Sequence, residues 1–140
     1  MHGSAHILLV EDDDDHAELM MRALDDHGRN TTVDRVADGE TALAYLLRER
    51  DTRPRPDVVL LDLHLPRVDG HEVLRRIKDD PELRSLPVVV LTTSSARRDV
   101  VRAHESHVNA YVVKPDDFDE LDRMVRDTCS FWLAWNRQRA

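Results

Sequence analysis

Val58-Val59-Leu60-Leu61-Asp62 is an unbroken aliphatic run that ends abruptly on a carboxylate. A short run without alternation fits a strand covered on both faces, as in a parallel sheet flanked by helices. Pro87–Leu91 repeats the pattern and ends on Thr92. Ala5–Val10, Thr31–Val36, Asp57–Leu61, Pro87–Leu91 and Ala110–Val113 are the five predicted strands. The segments between them carry helical spacing. Ala17, Met20, Met21 and Leu24 form one stripe, and Leu43, Leu46 and Leu47 a second. Val73, Leu74 and Ile77 form a third, Val100, Val101 and Ala103 a weaker fourth. Phe118, Leu121, Val125, Thr128 and Trp132 form a fifth. Strands alternating with helices imply an α/β domain around a parallel sheet.

The punctuation agrees. Asp13 or Asp14 is expected to cap the first helix, Ser94 or Ser95 the fourth, and Gly28 to end the first. Leu65-Pro66-Arg67-Val68-Asp69-Gly70 reads as a turn, and Arg48–Pro56 as a polar surface loop. The 140 residues suit one domain, and a net charge of −8 speaks against general nucleic-acid binding. No apolar run is long enough for a membrane span. The single cysteine, Cys129, excludes an internal disulfide and fits a reducing cytoplasm. Only two of the twenty basic residues are lysines, which draws notice to Lys114.

Four of the five strands run into a reactive polar group: Glu11-Asp12, Asp62, Thr92 and Lys114. In an open parallel sheet the carboxyl ends of the strands share one edge, where ligand sites form. Carboxylates gathered there repel unless one holds a proton or a cation joins them. An all-oxygen donor set suits Mg²⁺ or Mn²⁺. A carboxylate can act as a nucleophile toward phosphorus, while a lysine and a hydroxyl direct positive charge and a donor at phosphoryl oxygens. Singly, each residue has an ordinary reading as a cap, a turn or a loop. Their coincidence at strand ends points to a phosphoryl-transfer site with a carboxylate acceptor, a metal and two donors aimed at phosphoryl oxygens.

The residues Ile7-Leu8-Leu9-Val10-Glu11-Asp12, Leu60-Leu61-Asp62, Leu65-Pro66 with Asp69-Gly70, Leu91-Thr92 and Tyr111-Val112-Val113-Lys114-Pro115 resemble the receiver domain of two-component response regulators. The resemblance runs from Ile7 to about Arg126. It implies a flavodoxin-like, doubly wound five-stranded parallel sheet, order 2-1-3-4-5, with five helices. It also implies a phosphorylation switch rather than an enzyme, paired with a sensor histidine kinase. Asp62 would be the phospho-acceptor. Asp12, Asp62 and the His64 backbone carbonyl would ligate Mg²⁺ or Mn²⁺, with Glu11 acting mostly through water. Thr92 and Lys114 would bind the phosphoryl group, Tyr111 would be the aromatic switch, and the bond before Pro115 would be cis. His107 stands where the family often has glycine, so a positive φ is in question there.

A haloacid-dehalogenase-type phosphatase would want a second Asp at position 64, where His64 stands. A flavodoxin-like carrier would want a phosphate-cradling loop where Glu11–Asp15 stands. A degenerate receiver would lack Asp62, Thr92 or Lys114, and all three are present. His104 and His107 read as surface residues rather than a metal pair.

The tail, with the long loop before the third strand and Leu91-Thr92-Thr93-Ser94, resembles the stand-alone regulators of bacterial phytochrome-type kinases. The expected layout is one domain, 1–140, with a core over 5–126 and an extended C-terminal helix over 127–140. No DNA-binding output domain is expected after it. Phe131, Trp132, Leu133 and Trp135 make that helix apolar on several sides. Such a helix is normally covered all round, so a homodimer on this face is expected.

Overall fold

The computed structural model describes residues 5–25 and 31–135, of which Trp135 is described by its backbone alone. The strands are β1 (Ala5–Val10), β2 (Thr31–Val36), β3 (Val58–Leu61), β4 (Val88–Thr92) and β5 (Ala110–Val113). All pair in parallel in the order β2-β1-β3-β4-β5. The register brings Leu9 beside Leu60, Leu60 beside Val89, and Val89 beside Ala110. The helices are α1 (Asp14–Asp25), α2 (Gly39–Leu43), α3 (Gly70–Asp79), α4 (Arg97–Glu105) and α5 (Phe118–Ser130). A π-helical turn continues α2 over Ala44–Arg48, and another continues α5 over Phe131–Trp135.

Side chains alternate across a strand, so each strand feeds two cores. Leu8, Val10, Val59, Leu61, Val88 and Val90 pack under α2, α3 and α4 through Ala42, Leu74, Ile77 and Ala103. Ile7, Leu9, Val58, Leu60, Val89 and Leu91 pack under α1 and α5 through Met20, Leu24, Leu121 and Val125. Both faces of the central strands are covered, which is why their sequences lack polar alternation.

The caps follow the expected chemistry at most helix starts. The His16 N–H donates to Asp13 Oδ1 at 3.0 Å, the Thr41 N–H to Asp38 at 2.7 Å and the Glu72 N–H to Asp69 at 3.0 Å. The start of α4 differs from expectation. Its cap is Ala96, with no side-chain bond, because the helix opens at Arg97, past both serines; the Ser94 hydroxyl accepts the Ala96 N–H at 3.3 Å and donates to Asp99 Oδ2 at 2.6 Å. The expected stop at Gly28 lies outside the described residues.

The cis bond expected before Pro115 is corrected: among the described residues every peptide bond is trans. Trans is the lower-energy isomer of an X–Pro bond by about 0.5–1 kcal/mol, and no local feature of the chain reverses that order. The backbone question at His107 resolves to a positive φ, 68°.

The loop after β3 is pinned by a close approach. The Gly70 N–H donates to the Leu63 carbonyl at 2.8 Å, and a Cβ on Gly70 would stand 2.3 Å from the Asp62 carbonyl oxygen. Only glycine lets α3 begin this near Asp62.

A carboxylate and lysine site at the carboxyl edge of the sheet

Each strand end delivers its group through backbone pairing. The Asp62 N–H donates to the Val10 carbonyl at 3.0 Å, setting Asp62 beside Glu11. The Lys114 N–H donates to the Thr92 carbonyl at 2.7 Å, so β4 and β5 end together. The Arg35 guanidinium donates to the Glu11 carbonyl at 2.9 Å and fixes that turn from β2.

The expected groups converge. Carboxylate oxygens of Glu11, Asp12 and Asp62 all lie within 4.8 Å of one another. Glu11 and Asp62 are buried and Asp12 is exposed. Three hard oxygen donors at this separation, one open to solvent, fit a divalent cation such as Mg²⁺ or Mn²⁺. His64 is exposed, and its N–H donates to Asp62 Oδ1 at 3.2 Å.

Lys114 is buried, and its ammonium donates to Glu11 Oε1 and, at 3.2 Å, to Asp62 Oδ2. The Glu11 contact is the shorter of the two. Glu11 Oε2 accepts the Asp13 N–H at 3.1 Å. Burial pushes the Glu11 carboxyl up to about 7; Lys114 opposes that rise and the Asp62 charge adds to it. Burial thus makes the Glu11 carboxylate costly to keep charged.

Thr92 is fully buried, and its Oγ1 accepts the Ser94 N–H at 3.3 Å. Tyr111 is half-buried against the α2–α3–α4 core, and its hydroxyl donates to the Ser94 carbonyl at 2.9 Å. The loop after β4 therefore touches both Thr92 and Tyr111.

Two histidines at this edge were not anticipated. His16 places Nδ1 3.2 Å from the Lys114 ammonium. His71 is buried at the start of α3, with Nε2 3.0 Å from Asp99 Oδ1 and no partner for Nδ1. The Ser94 hydroxyl and then His71 hold the Asp99 carboxyl below its usual range. One signal for His16 was available: it lies four positions after Asp12, in the first turn of α1.

The tail departs in part from expectation. Phe131 is 52% exposed and meets Trp132 edge-on, with ring centroids 5.2 Å apart. Trp132 and Leu133 both pack against the α1–α5 core, so Leu133 does not point to a free side. The π-helical turn changes the angular spacing that a regular α-helix would impose. The Trp135 side chain lies outside the described residues.

Residues 7–126 match the response regulator receiver domain family. The probable methanogenesis regulatory protein FilR2 of Methanothrix harundinacea is 51% identical over 132 residues, covering 94% of this chain and 85% of its own. Response regulator Rcp1 of Synechocystis is 43% identical over 133 residues, with 91% and 88% covered. The crystal structure of its Mn²⁺-bound form superposes with a TM-score of 0.92 at 40% identity, covering 97% of this chain and 99% of that one. The phosphorylated cyanobacterial phytochrome response regulator RcpA gives 0.94 at 38% identity, covering 99% and 100%.

Proposed function

The chain belongs to the response regulator receiver family, and we propose that Asp62 takes a phosphoryl group from a sensor histidine kinase and so switches the surface around Thr92 and Tyr111. The observation that carries this reading is the Glu11, Asp12, Asp62 and Lys114 cluster. In the transfer, an Asp62 carboxylate oxygen forms a bond to phosphorus as the bond from phosphorus to the donor breaks. Mg²⁺ or Mn²⁺, held by Asp12, Asp62 and the His64 carbonyl with Glu11 behind them, supplies positive charge against the phosphoryl oxygens. Lys114 carries the second positive charge and exchanges its Asp62 contact for a phosphoryl oxygen. Thr92 donates its hydroxyl to another. When Thr92 moves, the Ser94 carbonyl moves with the same loop and Tyr111 loses its present partner. The chain's only chemistry is on its own aspartate, and its output is contact with another protein or onward transfer.

The kinship with Rcp1 and with a phytochrome response regulator supports a phytochrome-type kinase as donor. Among the described residues no helix is long and apolar enough to cross a membrane, which suits a cytoplasmic partner. The exposed Phe131 ring, beside Trp132 and Leu133 on the continued α5, supports a homodimer with Trp135 on the same element. Removing residues 131–140 should then turn a dimer into a monomer by light scattering while leaving labelling intact.

Acetyl phosphate with Mg²⁺ should place one alkali-labile phosphoryl group on the wild type. Asp62→Asn should take none. Stoichiometric labelling of Asp62→Asn would remove the basis of the reading.

A further inference from the structure

A lysine ammonium has three N–H donors and no acceptor. In Lys114 two of them meet Glu11 and Asp62, and the third direction is filled by His16 Nδ1 at 3.2 Å. Lys114 is only 4% exposed, so water has little access to replace that acceptor. Acceptance at Nδ1 requires a neutral imidazole with its proton on Nε2. His16 is itself held at its backbone and at its ring. Its backbone N–H is fixed on Asp13 in the first turn of α1. The Phe118 ring, at the first residue of α5, meets it edge-on at 6.4 Å and 89°. Phe118 is 58% exposed, an unusual place for a large apolar side chain, and the contact with His16 gives it a purpose.

We propose that His16 is a positioning residue: it ties the third Lys114 donor to α1, so that the other two are aimed at the carboxylates of Glu11 and Asp62. The inference rests on the phosphotransfer reading for its importance, but not for its geometry. An ammonium without that tie turns about its last bond and shares its donors unequally. A donor held in place stays directed at the Asp62 side when the carboxylate becomes an acyl phosphate.

The chain has two lysines, Lys114 and Lys78, so isotope-labelled lysine nitrogen gives two ammonium signals, one of them an internal control. His16→Leu keeps bulk against Phe118 and offers no acceptor. His16→Asn sets a side-chain oxygen near the position of Nδ1. The Lys114 signal should shift in His16→Leu, with proton exchange faster by about tenfold, and return toward wild type in His16→Asn. The Lys78 signal should not move. With acetyl phosphate, the plateau rate of His16→Leu should fall roughly tenfold at an unchanged half-saturating concentration, and His16→Asn should recover it. A His16→Leu protein with the wild-type signal and rate overturns the proposal. So does a folded His16→Asn protein as impaired as His16→Leu, since that is the pattern of packing alone. If the signal responds as expected while the wild type accepts no phosphoryl group, the tie stands and the phosphotransfer reading falls.

Discussion

Lys78 and Lys114 occupy opposite edges of one sheet, and each directs three donors at three acceptors. Lys78, in the last turn of α3, donates to the carbonyls of Arg84 at 3.1 Å and Leu86 at 2.9 Å and to Asn109 Oδ1 at 2.7 Å. That same amide oxygen accepts the Val88 N–H at 2.8 Å, so Lys78 fastens the amino ends of β4 and β5. Every acceptor there is neutral and permanent. Lys114 faces two carboxylates and an imidazole, all of which can change charge or gain a phosphoryl group. One side chain type thus makes a brace at one edge and a responsive element at the other. Lys114 is also the more deeply buried, but it is the chemistry of the acceptors that makes one site fixed and the other responsive.

Mutation at the two edges should separate binding from bracing. Asp12→Ala should weaken Mg²⁺ by more than about tenfold, a loss seen even for groups one step removed from a metal. A calorimetric titration showing wild-type affinity would reduce the acidic run to a solvated cap. Lys114→Ala should still bind Mg²⁺ but lose the response of Tyr111 to phosphorylation, read from its aromatic NMR signals. Lys78→Met should label normally and unfold about 1 kcal/mol more easily, because the part-buried Leu86 carbonyl loses its donor. If Lys78→Met also slowed labelling, the contrast between the edges would collapse.

The two edges should also give opposite pH limbs. Glu11 is raised in the fold from 4.5 to about 7, so between those values the folded chain holds more protons. Metal-free stability should therefore fall as pH rises from about 5 to 7. Burial lowers Lys78 from 10.5 to about 8, so there the unfolded chain holds more protons and stability should rise from pH 8 upward. About 1 kcal/mol is expected on each limb, less than the full shift because neighbours titrate too. Chemical denaturation across pH checks both: Glu11→Gln should flatten the lower limb and Lys78→Met the upper. The smallest effect expected is at His107, where φ is positive. His107→Gly should stabilise the amino edge by about 0.5 kcal/mol, since glycine accepts that backbone and gives back part of the gain as unfolded-state freedom.

The edge-to-edge contrast was only half legible in the chain. The strands were readable because Val58–Leu61 and Val88–Leu91 are apolar without alternation, and burial on both faces leaves no other use for that pattern. The acidic pair, Asp62, Thr92 and Lys114 were readable because parallel topology carries every strand end to one edge. The π-helical turns were not, since i→i+5 bonding has no spacing signature of its own in Ala44–Arg48. The cap of α4 was misjudged because the helix opens at Arg97, past both serines, with the Ser94 hydroxyl held between the Ala96 N–H and Asp99. His16 and Lys114 are 98 residues apart, and only the packing of α1 against α5 brings them together. The role of Lys78 was hidden for the same reason: its acceptors belong to a loop and to the start of β5.

The order of the strands in the chain has a consequence for how the protein is made. Glu11 and Asp12 leave the ribosome first and Lys114 last of the cluster, while β5 pairs only with β4. A nascent or truncated chain that ends before Lys114 carries the acidic residues and the acceptor but lacks their buried counter-charge. In such a product the balancing of those carboxylates would fall to a bound divalent cation. Charge balance from within the chain therefore comes with its last strand, an order imposed by topology.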